Sequence, residues 1–142
     1  MSGKQPAEER SMEYTAIATS KAGRGGHVES SDGVVSLDLA PPGASGKTNP
    51  EQLFAAGYSA CFGSALGAIA KMEKLEVSEV RVTAEITISG DPKAGFGLAA
   101  KLIGHLPGVD KATAQGLMEK AHEMCPYSKA TRGNIPVTLE VA

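Results

Sequence analysis

Tryptophan is absent from this 142-residue chain, and phenylalanine and tyrosine number three each. So thin an aromatic complement supplies no evident platform for stacking nucleobases. Charge of one sign is also lacking: 14 Lys and Arg against 16 Asp and Glu give a formal net charge of −2. Without a basic excess there is no electrostatic footprint for nucleic acid, and no such partner is expected. Cysteine is scarce, with Cys61 and Cys125 the two present. Two thiols far apart in sequence make neither a multi-bridge secreted scaffold nor a CxxC motif. The opening stretch, MSGKQPAEER, has no apolar run of the kind a signal peptide needs. A reducing cytoplasm is therefore the expected location, and there a cysteine pair is more often redox-active or inert than structural.

What is present suits one globular domain over 13–142 behind a loose polar tail over 1–12. One segment raises the question of a membrane. Gln52 through Ala70 carries no charged residue and approaches the length that spans a bilayer. It is rich in Ala and Gly, contains Tyr58, Ser59 and Ser64, and runs at once into Lys71, Glu73 and Lys74. It reads as a central helix buried in protein, and no membrane partner is expected.

The local patterns give an element order. Glu13–Ser20 has strand composition, and Gly23-Arg24-Gly25-Gly26 makes a turn. His27–Ser30 and Val34–Leu39 can form a hairpin around Ser31-Asp32-Gly33, since Asp-Gly is a strong turn signal. After the loop Ala40–Thr48, a helix should start at Thr48 or Asn49. Pro50 suits its first position, and Thr48 with Glu51 satisfies a capping box. This first helix is expected to run to about Leu75 and to be buried on all sides, its glycines allowing another backbone to approach closely. Val80–Ile88 alternates apolar and polar residues, as a strand with one wet face does. Phe96–Leu106 reads as its hairpin partner. A second helix capped by Asp110 should end at Pro126, and a last strand covers Ile135–Val141. Pro126-Tyr127-Ser128 and Arg132-Gly133-Asn134 read as turns. The order describes an α+β chain with mostly antiparallel sheet. Such small strand groups around an apolar helix do not obviously close one core, so an intertwined homodimer is expected.

Each candidate functional residue has a plain structural reading beside the chemical one. Cys61 lies within the apolar helix, where a buried cysteine is ordinarily just a small hydrophobe. A reactive thiol there needs a cation that this helix does not supply near it. Cys125 falls at the end of the second helix, where the dipole disfavours an anion, so it suits a resolving thiol better than a nucleophile. Arg24 sits between glycines, either as a solvated loop charge or as a cation on a backbone able to approach other groups. Glu51 is explained by its capping position alone, yet could also hold an arginine. His122 and Cys125 have a spacing that can share a metal, but no second ligand pair accompanies them, so neither a metal nor a cofactor is expected.

Two blocks go beyond pattern: Thr48–Phe62, TNPEQLFAAGYSACF, and Leu106–Ile135, LPGVDKATAQGLMEKAHEMCPYSKATRGNI. Together with GRGG and the SSDG turn, they resemble the signature segments of the organic hydroperoxide resistance family, within the wider group that includes osmotically inducible protein C. The resemblance covers nearly the whole chain after residue 12. It implies a thiol peroxidase that reduces organic hydroperoxides, fatty-acid hydroperoxides among them, to alcohols. It places the nucleophile on Cys61 and the resolving thiol on Cys125, joined as a disulfide during turnover. It assigns an activating arginine to Arg24 and that arginine's carboxylate partner to Glu51. It also implies a homodimer with two active sites at the subunit interface, and reduction by a lipoylated protein or another dithiol. Leu53, Phe54, Phe62 and Phe96 are candidate apolar walls for the substrate. Two alternatives stand beside it: a peroxidase of the osmotically inducible subfamily with a different peroxide preference, and a non-catalytic stress-related dimer with buried cysteines.

One geometric consequence follows from the helix itself. Glu51 and Cys61 are ten residues apart. On one straight helix that is about 15 Å of rise and about 80° off a common face. One guanidinium cannot serve both unless the helix breaks or the two residues come from different subunits, and the second is expected.

Overall fold

The computed structural model describes residues 12–142, so all of the expected N-terminal tail but Met12 lies outside the described residues. The described residues separate into two compact units that meet in sequence at Asn49 and Pro50.

The first unit is a three-stranded antiparallel sheet in the order β1 (Ala18–Lys21), β2 (His27–Ser30), β3 (Ser36–Asp38). Its hairpin is set by side chains. The Asp32 carboxylate accepts from the Ser30 hydroxyl at 2.6 Å and from the Val34 N–H at 3.0 Å, while Gly33 takes a φ of 78°. This fastens the expected Asp-Gly turn, but it uses Val34 and Val35 as turn residues, so β3 begins two residues later than the alternation suggested. The first strand is likewise shorter than Glu13–Ser20, because the ladder with β2 opens with Ala18 opposite Ser30. Between β1 and β2, a 3-10 turn spans Gly23–Gly25 and carries Arg24. Gly26 closes it: a Cβ at this position would lie 1.8 Å from the Lys21 carbonyl oxygen, so only glycine fits. The sheet buries little of itself. Both outer strands are exposed along their length, and Tyr14, Ile17, Val34, Val35 and Leu37 are open to solvent.

The second unit is the α+β body: α1 (Pro50–Met72), β4 (Arg81–Asp91), β5 (Gly95–His105), α2 (Lys111–Met124), α3 (Pro126–Thr131) and β6 (Val137–Val141). β4 and β5 form a long antiparallel hairpin from Arg81 opposite His105 to Asp91 opposite Gly95. β6 joins the far side of β5 in parallel, so the mostly antiparallel expectation holds with one parallel pair. Val82, Ala84 and Ile86 turn inward, as their alternation implied.

Tyr58, Phe62, Ala65, Leu66 and Ile69 form the buried stripe of α1, at the spacing of one helix face. Opposite them, α2 buries Ala114, Leu117, Met118 and Ala121. Side chains as large as Phe62 and Leu66, both fully buried, each contribute about 1.5–3 kcal/mol by leaving water. Gly104 allows Met118 onto the sheet, since a Cβ there would lie 2.4 Å from the Met118 sulfur.

Three expectations need correction. The first helix is not buried all round: Gln52, Ala56, Ala60, Ser64 and Ala68 form an exposed row, because sheet and α2 cover one side only. It stops at Met72 rather than near Leu75, because Lys74 enters the left-handed region (φ 59°) and the Leu75 N–H turns back to the Ala70 carbonyl at 2.9 Å. Pro126 does end α2, but residues 126–131 are a helical turn rather than a loop. Cys125 is extended (φ −69°, ψ 124°), which places proline at the first position of α3, where its missing N–H is harmless. By length and composition α1 could cross a membrane, but here its apolar face forms the core of the second unit.

Candidate active site

Helix α1 carries Cys61 at its middle, at the edge of the core-facing stripe between Tyr58 and Ala65, and the residue is half-buried. Cys125 is the joint between α2 and α3 and is fully buried. Sequence spacing gave no reason to bring these two together, yet their sulfurs lie 3.5 Å apart, both as free thiols. Closing to a disulfide length of about 2.05 Å needs a movement of only about 1.5 Å.

Local electrostatics act on Cys61 in opposing directions. Burial pushes its thiol above the ordinary value and is the largest influence. The Tyr127 backbone N–H donates toward the sulfur and pulls the other way, while the neighbouring Cys125 thiol raises it again. The balance within this unit raises the Cys61 pKa.

A buried polar network fixes the elbow that carries Cys125. The Tyr58 hydroxyl contacts the hydroxyls of Ser128 at 2.8 Å and Thr131 at 2.9 Å, and the Thr131 hydroxyl donates to the Ser128 carbonyl at 3.3 Å. The His122 ring nitrogen Nδ1 meets the same Ser128 hydroxyl at 2.8 Å, and the Arg132 guanidinium donates to the His122 carbonyl at 2.8 Å. Burial, then the Arg132 charge, lowers the His122 pKa, which favours neutral imidazole. One direction of donation that satisfies every hydroxyl, and also keeps the Thr131 bond to the Ser128 carbonyl, runs from His122 to Ser128, Ser128 to Tyr58 and Tyr58 to Thr131. Gly57 admits the Tyr127 ring beside this network, as a Cβ there would lie 3.1 Å from the Tyr127 hydroxyl. Removing the Tyr58 hydroxyl strips a partner from two buried side chains. Tyr58→Phe is expected to lower stability by about 1–3 kcal/mol, read as an earlier urea midpoint with an unchanged slope.

A groove of about 470 Å³ opens over Cys61, lined also by Ser64, Ala65, Ala68, Met124 and Pro126. A larger hollow of about 800 Å³, between the end of α1 and the start of β4, contains Lys71, Lys74, Leu75 and Val77 but neither thiol. Cys61 thus opens onto the smaller of the two. Its walls are not the aromatic residues singled out from sequence. Phe62 is buried in the core, Phe54 stacks on Tyr58 at 5.9 Å, and Phe96 is exposed on β5.

The remaining candidates are placed as follows. Arg24 lies in the 3-10 turn of the first unit, exposed. Glu51 lies in the first turn of α1. Since α1 is unbroken from Pro50 to Met72, Glu51 and Cys61 of one chain are separated by about 15 Å of helix rise. Among the described residues, no group of three or more His, Cys, Asp and Glu is placed to hold a metal ion. Sequence reasoning missed the Tyr58, Ser128 and Thr131 network and the place of Met124. The signal was a tyrosine inside a run rich in Ala and Gly.

Two free thiols in contact beneath an apolar groove define an α+β dithiol protein. The family model described as "OsmC-like protein" matches residues 43–140. The organic hydroperoxide resistance protein of Xanthomonas axonopodis pv. citri is 50% identical over 135 residues, covering 91% of this chain and 94% of that protein. The crystal structure of the organic hydroperoxide resistance protein OhrB of Bacillus subtilis superposes with a TM-score of 0.83 at 43% identity, covering 91% of this chain and 98% of the other. An organic hydroperoxide resistance protein structure from Legionella pneumophila gives a TM-score of 0.85 at 47% identity, covering 93% and 99%. The chain belongs to the OsmC-like family, among the organic hydroperoxide resistance proteins.

Proposed function

We propose that this protein is a cytoplasmic, homodimeric thiol peroxidase that reduces organic hydroperoxides, including those of fatty acids, to alcohols. The observation that carries the reading is the 3.5 Å contact between Cys61 and Cys125 at the floor of an apolar groove. In the first step the Cys61 thiolate attacks the O–O bond. One oxygen stays on sulfur as sulfenic acid, and the other leaves with the organic group and takes a proton to become the alcohol. In the second, the Cys125 sulfur attacks the sulfenic sulfur, and its proton leaves with the hydroxyl as water, forming the Cys61–Cys125 disulfide. A dithiol, for which dihydrolipoyl groups of lipoylated proteins are our candidate, reduces that disulfide by two exchanges and is itself oxidised to a cyclic disulfide.

The half-exposed position of Cys61 suits the residue that meets peroxide, and the buried Cys125 suits the resolver. Burial raises the Cys61 pKa, so a cation must offset it, and Arg24 is our assignment. It would also stabilise the departing alkoxide, held in orientation by a paired Glu51 carboxylate. The groove, with Ala65, Ala68, Met124 and Pro126 among its walls, favours apolar hydroperoxides over hydrogen peroxide. Turnover of cumene hydroperoxide with dihydrolipoamide tests the reading. No turnover, with Cys61 unmodified by mass spectrometry, would leave an inert dimer instead.

The role of Arg24 has its own test. A raised thiol pKa means a smaller thiolate fraction at any given pH, so removing the cation must shift the titration upward. Iodoacetamide alkylation of Cys61 followed against pH is expected to show its midpoint at higher pH in Arg24→Met than in the wild type. Identical profiles would remove Arg24 from the site.

A further inference from the structure

The groove over Cys61 contains a second kind of sulfur. Met124 closes α2 immediately before Cys125 and lines the groove together with Cys61, Ala65, Ala68 and Pro126. The residue is 48% exposed. Among the described methionines, Met118 is fully buried against the sheet, whereas Met12 and Met72 are more exposed than Met124, at 89% and 67%. Exposure alone therefore ranks Met124 behind both for attack by a freely diffusing oxidant. Placement ranks it first for an oxidant that binds where Cys61 can reach it.

We infer that Met124 is a substrate-directed oxidation site: an apolar hydroperoxide bound in the Cys61 groove transfers an oxygen atom to the Met124 thioether once Cys61 is no longer reduced. The inference rests on the peroxidase reading, since it takes the groove as the place where hydroperoxide binds. The step balances without a further reactant. The thioether sulfur attacks the O–O bond and gains one oxygen as the sulfoxide, losing two electrons. The organic group keeps the other oxygen and the proton and leaves as the alcohol.

A thioether is a far weaker nucleophile than a thiolate, so Cys61 consumes the peroxide first whenever it is reduced. When reductant is short, the Cys61–Cys125 disulfide accumulates and the groove still binds apolar molecules. Met124 is then the sulfur held beside a bound O–O bond, and proximity substitutes for intrinsic reactivity. The sulfoxide is polar and less flexible in what it can contact, so a wall that favoured greasy substrates turns hydrophilic. Affinity for apolar hydroperoxides falls, and the site registers that its reductant has run out. Methionine sulfoxide reductases can reverse the change.

The test compares two oxidants on the full chain. The disulfide form, prepared with diamide, is treated separately with cumene hydroperoxide and with hydrogen peroxide, each adjusted to give the same sulfoxide level at Met72. Peptide mass spectrometry then reads Met12, Met72 and Met124. Met124 sulfoxide is expected several-fold higher with cumene hydroperoxide than with hydrogen peroxide. Equal ratios of Met124 to Met72 for the two oxidants would overturn the inference. After the disulfide is reduced again, the Met124-oxidised protein should show a raised KM for cumene hydroperoxide that returns on treatment with sulfoxide reductases. An unmoved KM would overturn the consequence drawn for affinity. Turnover of the untreated protein is measured alongside. If it is active while the ratios are equal, the inference falls alone, and if it is inactive, the reading beneath it falls.

Discussion

Cys61→Ser is expected to reduce organic hydroperoxide turnover by more than about 1000-fold, since losing a covalent nucleophile can cost up to about 10⁶-fold in other enzymes. A serine hydroxyl fits the space but stays protonated at any pH the protein survives, and it cannot hold the transferred oxygen as sulfur does. Cys125→Ser should behave differently, because Cys125 enters only after the O–O bond is broken. In that variant, peroxide consumption should show one rapid turnover per site, and the sulfenic acid at Cys61 should persist long enough to be trapped as a dimedone adduct. Steady-state turnover with dihydrolipoamide should then collapse, because no disulfide forms for the dithiol to exchange with. The 3.5 Å sulfur contact makes the division of labour specific. Equal loss of the first turnover in both variants would mean that Cys125 helps break the O–O bond. Undiminished turnover in Cys61→Ser would end the peroxidase reading.

Much of the fold was legible because local physics sets it. The Asp32–Gly33 turn, the Asp110 cap, with its carboxylate accepting from the Thr113 N–H at 3.0 Å, and the inward alternation of Val82, Ala84 and Ile86 are each decided by residues close in sequence. The α2–α3 elbow was not. Pro126 signals both an end and a beginning, and only the extended conformation of Cys125 decides that a second helix follows. The sulfur contact and the Tyr58–Ser128–Thr131 network join residues about half the chain apart, and no periodicity encodes such a meeting. Resemblance to a family supplied the pairing of Cys61 with Cys125, and the 3.5 Å sulfur contact is the physical reason it can form. The all-round burial expected of α1 is met on one side only within a single chain. A helix with small residues on every side invites close packing, but one chain provides partners for only one of those sides.

That uncovered side leads to the second large effect. Ala56, Ala60, Ser64 and Ala68 leave a smooth exposed strip on an apolar helix, and Leu37 on β3 is exposed, as are Tyr14 and Ile17 ahead of β1. A three-stranded sheet with so little buried surface is not expected to hold alone. We read both features, and the proposed chemistry, as asking for a second copy of the chain. With α1 unbroken, one guanidinium cannot touch Glu51 and Cys61 of the same helix across about 15 Å. We therefore assign each active site to two subunits, with Cys61 and Cys125 from one chain and Arg24 and Glu51 from the other. Subunit mixing decides this without requiring a folded monomer. Cys61→Ser and Arg24→Ala homodimers should each be nearly inactive. When equal amounts are dissociated and reassembled together, half the dimers are mixed, and each mixed dimer holds one site with both an intact Cys61 and an intact Arg24. Activity should return to roughly one quarter of wild type, the random-assortment share for a two-fold dimer. If Arg24 instead serves the cysteine of its own chain, every site in the mixed dimer carries a lesion and mixing restores nothing.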